Sequence, residues 1–293
     1  MSAQTTAVRS FGALFVALRP HQWTKNLLLF AGLIFAGHWS DADDWVAALL
    51  AFVAFCALSS AGYLSNDVAD AKRDRLHPRK RFRPIARGDV APQTALRTAA
   101  ALGCLGLLIA AALGLEPFLF ALTYVVVQQG YTLFLKRVYL VDALTIAGLF
   151  VLRAAAGAAA VDVTISGWLL VCTGLLALFL AFAKRRGEAL TLAAEPGGGR
   201  EVMRHYSLQR LGPLVTLSAA ATCAAYVVYA IVGRDPLEML ATVPLVVFGL
   251  GRYLWLMQRR DLGEEPDVVL LTDPVLLACV VLWAAAAGLA ISQ

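Results

Sequence analysis

The chain has 293 residues, of which 60% are hydrophobic and only 15% are charged, and its mean hydropathy is +0.71. This composition excludes an ordinary soluble domain and indicates a polytopic membrane protein. The net charge of +5 does not indicate nucleic-acid binding, because the basic residues stand in short segments between apolar stretches, where membrane topology accounts for them.

Apolar stretches recur along the chain, and at about 20 residues per crossing they predict about nine membrane-spanning helices. The predicted spans are 24–38, 45–65, 93–113, 117–135, 139–160, 165–183, 213–232, 236–257 and 268–290. We therefore expect an all-α bundle that forms one integral-membrane domain over residues 1–293.

The predicted loops fall into two sets by charge. One set carries nearly all of the lysine and arginine between spans, and the other carries only Arg234. The basic set is 66–92, 136–138, 184–212 and 258–267, and the other set is 40–44, 115–117, 161–164 and 233–236. Because basic loops face the cytoplasm, we predict a multi-pass protein of the inner (plasma) membrane with a cytoplasmic N-terminal lead-in helix and an external C-terminus.

Two of the basic loops, 66–92 and 184–212, are far longer than a turn requires, and we expect them to form a cytoplasmic cap. The break at 196–199, a proline followed by three glycines, is expected to hinge the second loop.

The first long loop opens with three carboxylates at helical spacing. Asp67, Asp70 and Asp74 stand at i, i+3 and i+7, so a helix would place them within about 60° of one face. The cations that follow them are Arg75, Arg79, Lys80, Arg81, Arg83 and Arg87. Carboxylates suit a hard metal and guanidinium groups suit phosphate, so the stretch favours a site for a magnesium-chelated diphosphate. The alternative is a solvated, salt-bridged loop whose cations only orient the protein in the membrane.

The motif NDxxDxxxD at 66–74, followed by KRFRP at 80–84, resembles the first aspartate-rich motif of the UbiA superfamily of intramembrane prenyltransferases. The N-terminal stretch RPHQWTKN at 19–26 resembles the N-terminal signature of the same superfamily. The resemblance implies a UbiA-type bundle in which Asp67, Asp70 and Asp74 bind Mg²⁺ and, through it, a diphosphate.

The sequence departs from the aromatic prenyltransferases of that superfamily at the second long loop. Where those enzymes carry another aspartate-rich motif, this chain has KRRGE at 184–188. Together with the stretches at 131–142 and 150–153, this departure resembles the phosphoribosyl-transferring branch of the superfamily. That resemblance implies transfer from 5-phosphoribosyl 1-diphosphate to decaprenyl (polyprenyl) phosphate, giving a precursor for cell-wall arabinan.

The resemblance also implies roles for individual residues. The predicted catalytic residues are Asp67, Asp70, Asp74, Lys136 and Asp142, and the predicted substrate-binding residues are Lys25, Asn66, Lys80, Arg81, Arg83, Tyr131, Arg153, Lys184 and Arg185. Asp142 is expected to contact the sugar or to orient Lys136. Arg153 lies deep in a span and is expected near the lipid phosphate, the alternative being an arginine held by a neighbouring helix.

Two other functions stay open at this point. One is a prenyltransferase that moves a polyprenyl group from its diphosphate to an aromatic or other polar acceptor. The other is a transporter or flippase whose pathway is lined by Asp142 and Arg153. A homo-oligomer is compatible with the sequence, and the length of the lipid chain is taken from the resemblance alone.

Overall fold

The computed structural model describes residues 12–37, 40–164, 166–194, 201–232, 236–260, 268–269 and 272–292, and the regular structure within these ranges is helical. The α-helices are α1 (12–18), α2 (Ala31–Ala36), α3 (Ala42–Asp74), α4 (Pro84–Arg87), α5 (Pro92–Leu113), α6 (Leu115–Leu133), α7 (Val141–Ala160), α8 (Gly167–Ala194), α9 (Leu208–Val232), α10 (Pro236–Arg260) and α11 (Pro274–Ser292). Four 3₁₀ segments, Pro20–Phe30, Lys80–Phe82, Leu135–Arg137 and Glu201–His205, connect some of them. The predicted all-α fold is confirmed.

Six of these helices are long and apolar enough to cross a membrane, judged by length and composition. They are α3, α5, α7, α8, α9 and α10, and α11 contains a shorter apolar stretch at 274–290. The count of nine spans therefore stays a prediction. The predicted hinge at 196–199 and the loop arginine Arg234 lie outside the described residues.

The first predicted span, 24–38, differs most from the structure. It is a 3₁₀ segment from Pro20 to Phe30 that continues into the short helix α2. This part of the chain lies directly against α7, because a Cβ at Gly157 would collide with the Leu29 carbonyl oxygen and a Cβ at Gly32 would lie 2.6 Å from Ala158 Cα. Backbone contact between small residues thus fixes the first segment on α7.

Helix α3 is longer than predicted and carries the acidic motif on its last turns. Its 33 residues extend to Asp74, nine positions beyond the predicted span end at 65. At about 1.5 Å per residue the helix is roughly 50 Å long, well beyond a hydrocarbon core of about 30 Å. The prediction that the three aspartates share one helical face is therefore confirmed.

Helix α8 likewise continues to Ala194, so the KRRGE stretch at 184–188 is helical. The helix thus continues without a break past 183, where the predicted span ends. The physical reason is that the charged residues on this extension are paired, since Arg185 contacts Glu188 one turn later. A helix whose charges are satisfied in this way does not have to end at the membrane surface.

The segment between α3 and α5 is folded against the bundle. Ile85 and Val90 are buried and pack with Leu64 and Ala95. Arg75 Nε donates to the Ala86 carbonyl at 3.0 Å, which ties α4 back to the end of α3. These contacts hold the basic residues of this segment over the acidic motif.

Candidate active site

The three aspartates of the acidic motif are almost fully buried, with exposed fractions of 2% for Asp67, 8% for Asp70 and 4% for Asp74. Buried carboxylates must be compensated by cations or hydrogen bonds. Each of the three contacts a cation that comes from another part of the chain, so the motif is the centre of an ion-pair cluster. We call this cluster the acidic site: Asn66, Asp67, Asp70, Asp74 and the three cations Arg19, Arg83 and Lys136.

Arg83 bridges two of the carboxylates. Its Nη1 lies 3.2 Å from Asp67 Oδ1 and 2.7 Å from Asp74 Oδ2. The sequence predicted Arg83 as a phosphate-binding residue, and the structure places it within the acidic site. About a fifth of its side chain (22%) stays exposed, so a ligand can reach it.

Arg19 also contacts Asp67, with Nη2 at 2.6 Å from Oδ1 and 2.8 Å from Oδ2. Its backbone has φ = 57°, the left-handed region that few non-glycine residues adopt. Its guanidinium also lies 5.2 Å from the centroid of the Tyr63 ring. The sequence analysis quoted Arg19 within the N-terminal signature but gave it no role. The available signal was an arginine at the end of an apolar segment, directly before a proline.

Lys136 reaches the third carboxylate from the 3₁₀ segment between α6 and α7. Its Nζ lies 2.8 Å from both oxygens of Asp70 and 3.0 Å from Asn66 Oδ1. Only 2% of the lysine is exposed. The structure therefore brings Lys136 to Asn66 and Asp70, which precede it by 70 and 66 residues. All three were predicted site residues.

The acidic site fits a magnesium ion by its chemistry, because Mg²⁺ prefers carboxylate and carbonyl-type oxygens. Its oxygens converge on two points, one occupied by Lys136 Nζ and the other by Arg83 Nη1. Within the described residues, no group of three or more Asp, Glu, His or Cys side chains is arranged to hold a metal. The donors thus suit the metal, while side-chain cations hold them in this conformation.

Arg185 lies in a second cluster, which is more deeply buried. Its Nε is 2.6 Å from Asp142 Oδ2, its Nη1 is 2.7 Å from Glu188 Oε2, and its Nη2 donates to Tyr131 Oη at 3.2 Å. The exposed fractions of the Arg185 and Asp142 side chains are 1% and 0%. We call these residues, together with Tyr206, the Arg185 cluster.

This arrangement gives both predicted residues protein partners. Two carboxylates enclose the Arg185 guanidinium. The Asp142 carboxylate contacts Arg185 and accepts a hydrogen bond from Tyr206 Oη at 2.6 Å, and the predicted roles of both residues toward the substrate stay predictions. A buried arginine needs compensating carboxylates, and the sequence alone did not show that Asp142 supplies one.

Glu188 and Tyr206 are members of the Arg185 cluster that the sequence analysis missed. Glu188 also contacts Lys80 Nζ at 2.6 Å, which joins α8 to the segment between α3 and α5. Tyr206 Oη also accepts from the Leu140 backbone N–H at 3.2 Å. Burial, together with the hydrogen bond to the Asp142 carboxylate, raises the pKa of Tyr206, so the phenol stays protonated and acts as a donor.

Arg153 is buried within α7 and has only neutral partners. Its Nε donates to Asn26 Oδ1 at 2.8 Å, its Nη1 to the Leu149 carbonyl at 2.9 Å and its Nη2 to Tyr124 Oη at 2.7 Å. Among its contacts in the described part of the chain there is no carboxylate. Neutral groups and the rings of Tyr124 and Phe150 thus surround Arg153, and no carboxylate contacts it among the described residues. Its predicted place near the lipid phosphate stays a prediction.

The other predicted residues lie at the margins of these clusters. Lys25 donates to Gln22 Oε1 from the N-terminal 3₁₀ segment. Arg81 is exposed, with its guanidinium 4.9 Å from the Phe82 ring centroid, and Lys184 is half-buried on α8. None of these positions tests a contact with substrate, so their roles stay predictions.

Comparison with known proteins gives a consistent result. The profile of the UbiA prenyltransferase family matches residues 26–272. A Mycolicibacterium smegmatis protein named decaprenyl-phosphate phosphoribosyltransferase is 33% identical over 294 residues, covering 95% of this chain and 92% of that protein. A Corynebacterium glutamicum protein of the same name is also 33% identical. That alignment covers 91% of this chain and 83% of the Corynebacterium protein.

A solved structure supports the same architecture. The structure of a UbiA homologue from Archaeoglobus fulgidus bound to GPP and Mg²⁺ superposes with a TM-score of 0.74. The alignment covers 96% of this chain and 100% of that one at 19% sequence identity. At this identity the likeness shows the fold alone.

Proposed function

The chain belongs to the UbiA prenyltransferase family of multi-pass membrane enzymes, and we propose that it transfers 5-phosphoribose from 5-phosphoribosyl 1-diphosphate to decaprenyl or another polyprenyl phosphate. The observation that carries this proposal is the 33% identity, over nearly the whole chain, to proteins named for that transfer. Membership of an enzyme family also favours this function over the transporter. The product would be a polyprenylphosphoryl-5-phosphoribose, used for cell-wall arabinan.

The acidic site is proposed to bind the diphosphate of the donor. Asp67, Asp70 and Asp74 would hold Mg²⁺, and Asn66 would orient one of the carboxylates or contact the diphosphate. When bound, the metal neutralises the charge that develops on the leaving diphosphate. Support comes from the burial of three carboxylates on one helical face and from the oxygens that converge on cationic nitrogens.

The basic residues around the acidic site are proposed to hold the phosphate groups. Arg83 and Lys136 lie next to the carboxylates. Further predicted phosphate-binding residues stand on other segments: Lys25 on the N-terminal 3₁₀ segment, Lys80 and Arg81 between α3 and α4, and Lys184 on α8. Arginine donates two parallel hydrogen bonds to a phosphate, whereas lysine acts as a point charge. Arg185 and Tyr131 are proposed to support this side of the site from within the Arg185 cluster.

The reaction requires little proton transfer. An oxygen of the lipid phosphate forms a bond to C1 of the ribose, the bond from C1 to the diphosphate breaks, and the diphosphate leaves with the electron pair. The nucleophile is already an anion, so the residues of the site orient the two substrates and stabilise charge. Attack opposite the leaving group would invert the configuration at C1.

Arg153 is proposed to attract the phosphate of the lipid into the bundle. Its charge is uncompensated by carboxylates within the described residues, and a cation in an apolar interior favours an anionic partner. The donor is water-soluble, so the site is proposed to open to the cytoplasm, with the N-terminus on that side and the C-terminus outside. The single domain would lie in the inner (plasma) membrane, with the segments 66–92 and 184–212 as its cap.

A transfer assay tests the proposed function. Detergent-solubilised protein would be incubated with radiolabelled 5-phosphoribosyl 1-diphosphate and decaprenyl phosphate, with magnesium or with a chelator. We expect label to enter the organic phase only with magnesium and only with active protein. The Asp70→Asn variant should lose this transfer, whereas Asp89→Asn, an exposed change on the same segment, should keep it.

The same assay can also contradict the proposed function. If folded wild-type protein transfers no label but consumes a polyprenyl diphosphate in the presence of an aromatic acceptor, the phosphoribosyl proposal is wrong. The chain would then be a conventional prenyltransferase of its family, and the absence of a second acidic motif at 184–188 would need another explanation.

A further inference from the structure

We propose that Arg19, Arg83 and Lys136 are exchangeable counter-cations, which leave the carboxylates for the phosphates of the ligand when magnesium and diphosphate bind together. This gives Arg19 a substrate-binding role. It also makes the binding of metal and diphosphate mutually dependent. The inference rests on one part of the proposed function, that the acidic site binds magnesium and a diphosphate, but not on the identity of the donor or the acceptor.

The charges of the acidic site are matched. Three carboxylates face three cations at 2.6 to 3.2 Å, and each cation comes from a different segment: Arg19 before the 3₁₀ segment, Arg83 from between α3 and α5, and Lys136 from between α6 and α7. A fourth cation, Arg73, is more distant, at 3.9 Å from Asp70. The site is therefore close to neutral without any ligand.

A neutral site binds a single ion poorly. Magnesium alone would have to displace a cation from a buried carboxylate and leave that cation without its partner, which costs free energy. Diphosphate alone would have to draw the same cations away and leave buried carboxylates uncompensated. When both ligands arrive together, the metal takes the carboxylates, the diphosphate takes the released cations, and every charge keeps a partner.

The geometry favours such an exchange for these cations. Arg19 and Arg83 keep 20% and 22% of their side chains exposed, so each can turn toward a ligand without leaving an enclosed core. Lys136 is more buried, but its Nζ lies between Asn66 and both oxygens of Asp70, the position that a cation ligated by those oxygens would take. Arg19 contacts Asp67 from a residue whose backbone has the left-handed φ of 57°.

Calorimetric titration of the full-length protein in detergent tests the proposal. The probes are magnesium alone, inorganic diphosphate alone, and each in the presence of the other. We expect each ligand to raise the affinity for the other by about tenfold or more, within the usual range of coupling between sites. Equal affinity for magnesium with and without diphosphate, or no binding of either under any condition, would overturn the proposal.

Substitution of these cations should raise the affinity for magnesium, a direction of change that a purely structural role would not produce. Lys136→Met leaves Asp70 without its cation, so the affinity for magnesium alone should rise, by about tenfold, while the affinity for diphosphate falls. Arg19→Gln should act in the same direction with a smaller change, because Arg83 still contacts Asp67. A magnesium affinity that falls or stays unchanged in both variants contradicts the exchange.

The matched control is Arg137→Gln, which removes an exposed cation next to Lys136. It should leave both affinities and their coupling at wild-type values. The thermal midpoint of each variant without ligand identifies misfolding, and Arg19→Lys retains the charge if Arg19→Gln is unstable. The probe is inorganic diphosphate, so the two proposals can fail separately. If the phosphoribosyl assay fails but magnesium and diphosphate still bind cooperatively, only the proposed donor is refuted. If transfer occurs but the two ligands bind independently, only the exchange is refuted.

Discussion

The acidic site and the Arg185 cluster use the same residue types and differ in access. In both, buried carboxylates contact cations at 2.6 to 3.2 Å. The carboxylates of the acidic site share one helix, whereas Asp142 on α7 and Glu188 on α8 meet at a single arginine of α8. In the acidic site two of the three cations keep about a fifth of their side chains exposed, whereas Arg185 and Asp142 are enclosed completely. Arg19 and Arg83 are thus more accessible to a ligand than Arg185 is.

This difference in exposure bears on which ion pairs can exchange with a ligand and which ones stabilise the fold. An ion pair that solvent can reach contributes little to stability and exchanges easily, whereas an enclosed pair is costly to break because either partner is left buried and charged. We therefore expect ligand binding at the acidic site and a larger contribution to stability from the Arg185 cluster.

Asp67→Asn should lower the transfer rate by about 10³-fold, because it removes a carboxylate that both Arg19 and Arg83 contact and that is proposed to hold the metal. The measurement is the initial rate of label transfer to the lipid. Asp89→Asn, a change to an exposed aspartate paired with Arg87, is the control and should keep the wild-type rate. Retention of more than about half of the activity in Asp67→Asn would remove the acidic site from the reaction.

Arg185→Met should destabilise the protein by about 3 kcal/mol or more, because Asp142 is left buried without its cation, while Glu188 keeps Lys80. Arg83→Met should cost less stability than Arg185→Met, because Asp67 keeps Arg19 and the partly exposed site lets water reach Asp74, but it should reduce activity strongly. Thermal unfolding in detergent, compared with transfer rate per folded molecule, measures both. If Arg83→Met is the less stable variant, the division between the clusters is wrong.

Tyr206→Phe should cost about 1–2 kcal/mol, since Asp142 loses one hydrogen bond but keeps Arg185. The pKa of Tyr206 is raised above its ordinary value of 10.0, so the folded state binds the proton more tightly. The stability that this adds is fully present below pH 10 and declines as the pH rises above it. The thermal midpoint of wild type should therefore fall more steeply than that of Tyr206→Phe above about pH 10, and parallel curves would count against the interaction.

Lys80→Met should have the smallest effect, about 1 kcal/mol or less, because its side chain is 20% exposed and Glu188 keeps Arg185 as a partner. Its effect should appear as weaker binding of the donor, since the contact joins the segment between α3 and α5 to α8. The Michaelis constant for the donor, measured with Arg137→Gln as control, tests this. An unchanged Michaelis constant would show that the contact does not position the cap.

The sequence was sufficient for the acidic motif but not for the pairing around it. The spacing of Asp67, Asp70 and Asp74 determines a shared face on any helix, so this prediction depended on local geometry alone. The partners Arg19 and Lys136 come from 48 and 66 residues away from their carboxylates, and no local pattern encodes such contacts. Lys136 was selected through a family resemblance, and Arg19 was missed.

Arg185 and Asp142 show the opposite case. Both are charged residues close to a predicted membrane surface, and from the sequence alone a basic run such as that at 184–186 is expected to be open to phosphate. Their enclosure depends on how α7 packs against α8, and on Tyr206 from a segment that sequence analysis treated as a loop. Residue type indicated the chemistry, but the burial that separates Arg185 from Arg83 arises only in the folded structure.

Helix α3 has a mechanical consequence for the acidic site. Its 33 residues form one continuous helix from Ala42 to Asp74, and the carboxylates stand on its last turns. A rod of roughly 50 Å acts as a lever, so a tilt of one degree displaces its far end by about 1 Å. Helices adjust their tilt to the thickness of the hydrocarbon layer. A change in bilayer thickness is therefore expected to move the acidic site relative to the rest of the bundle, through the tilt of this single helix.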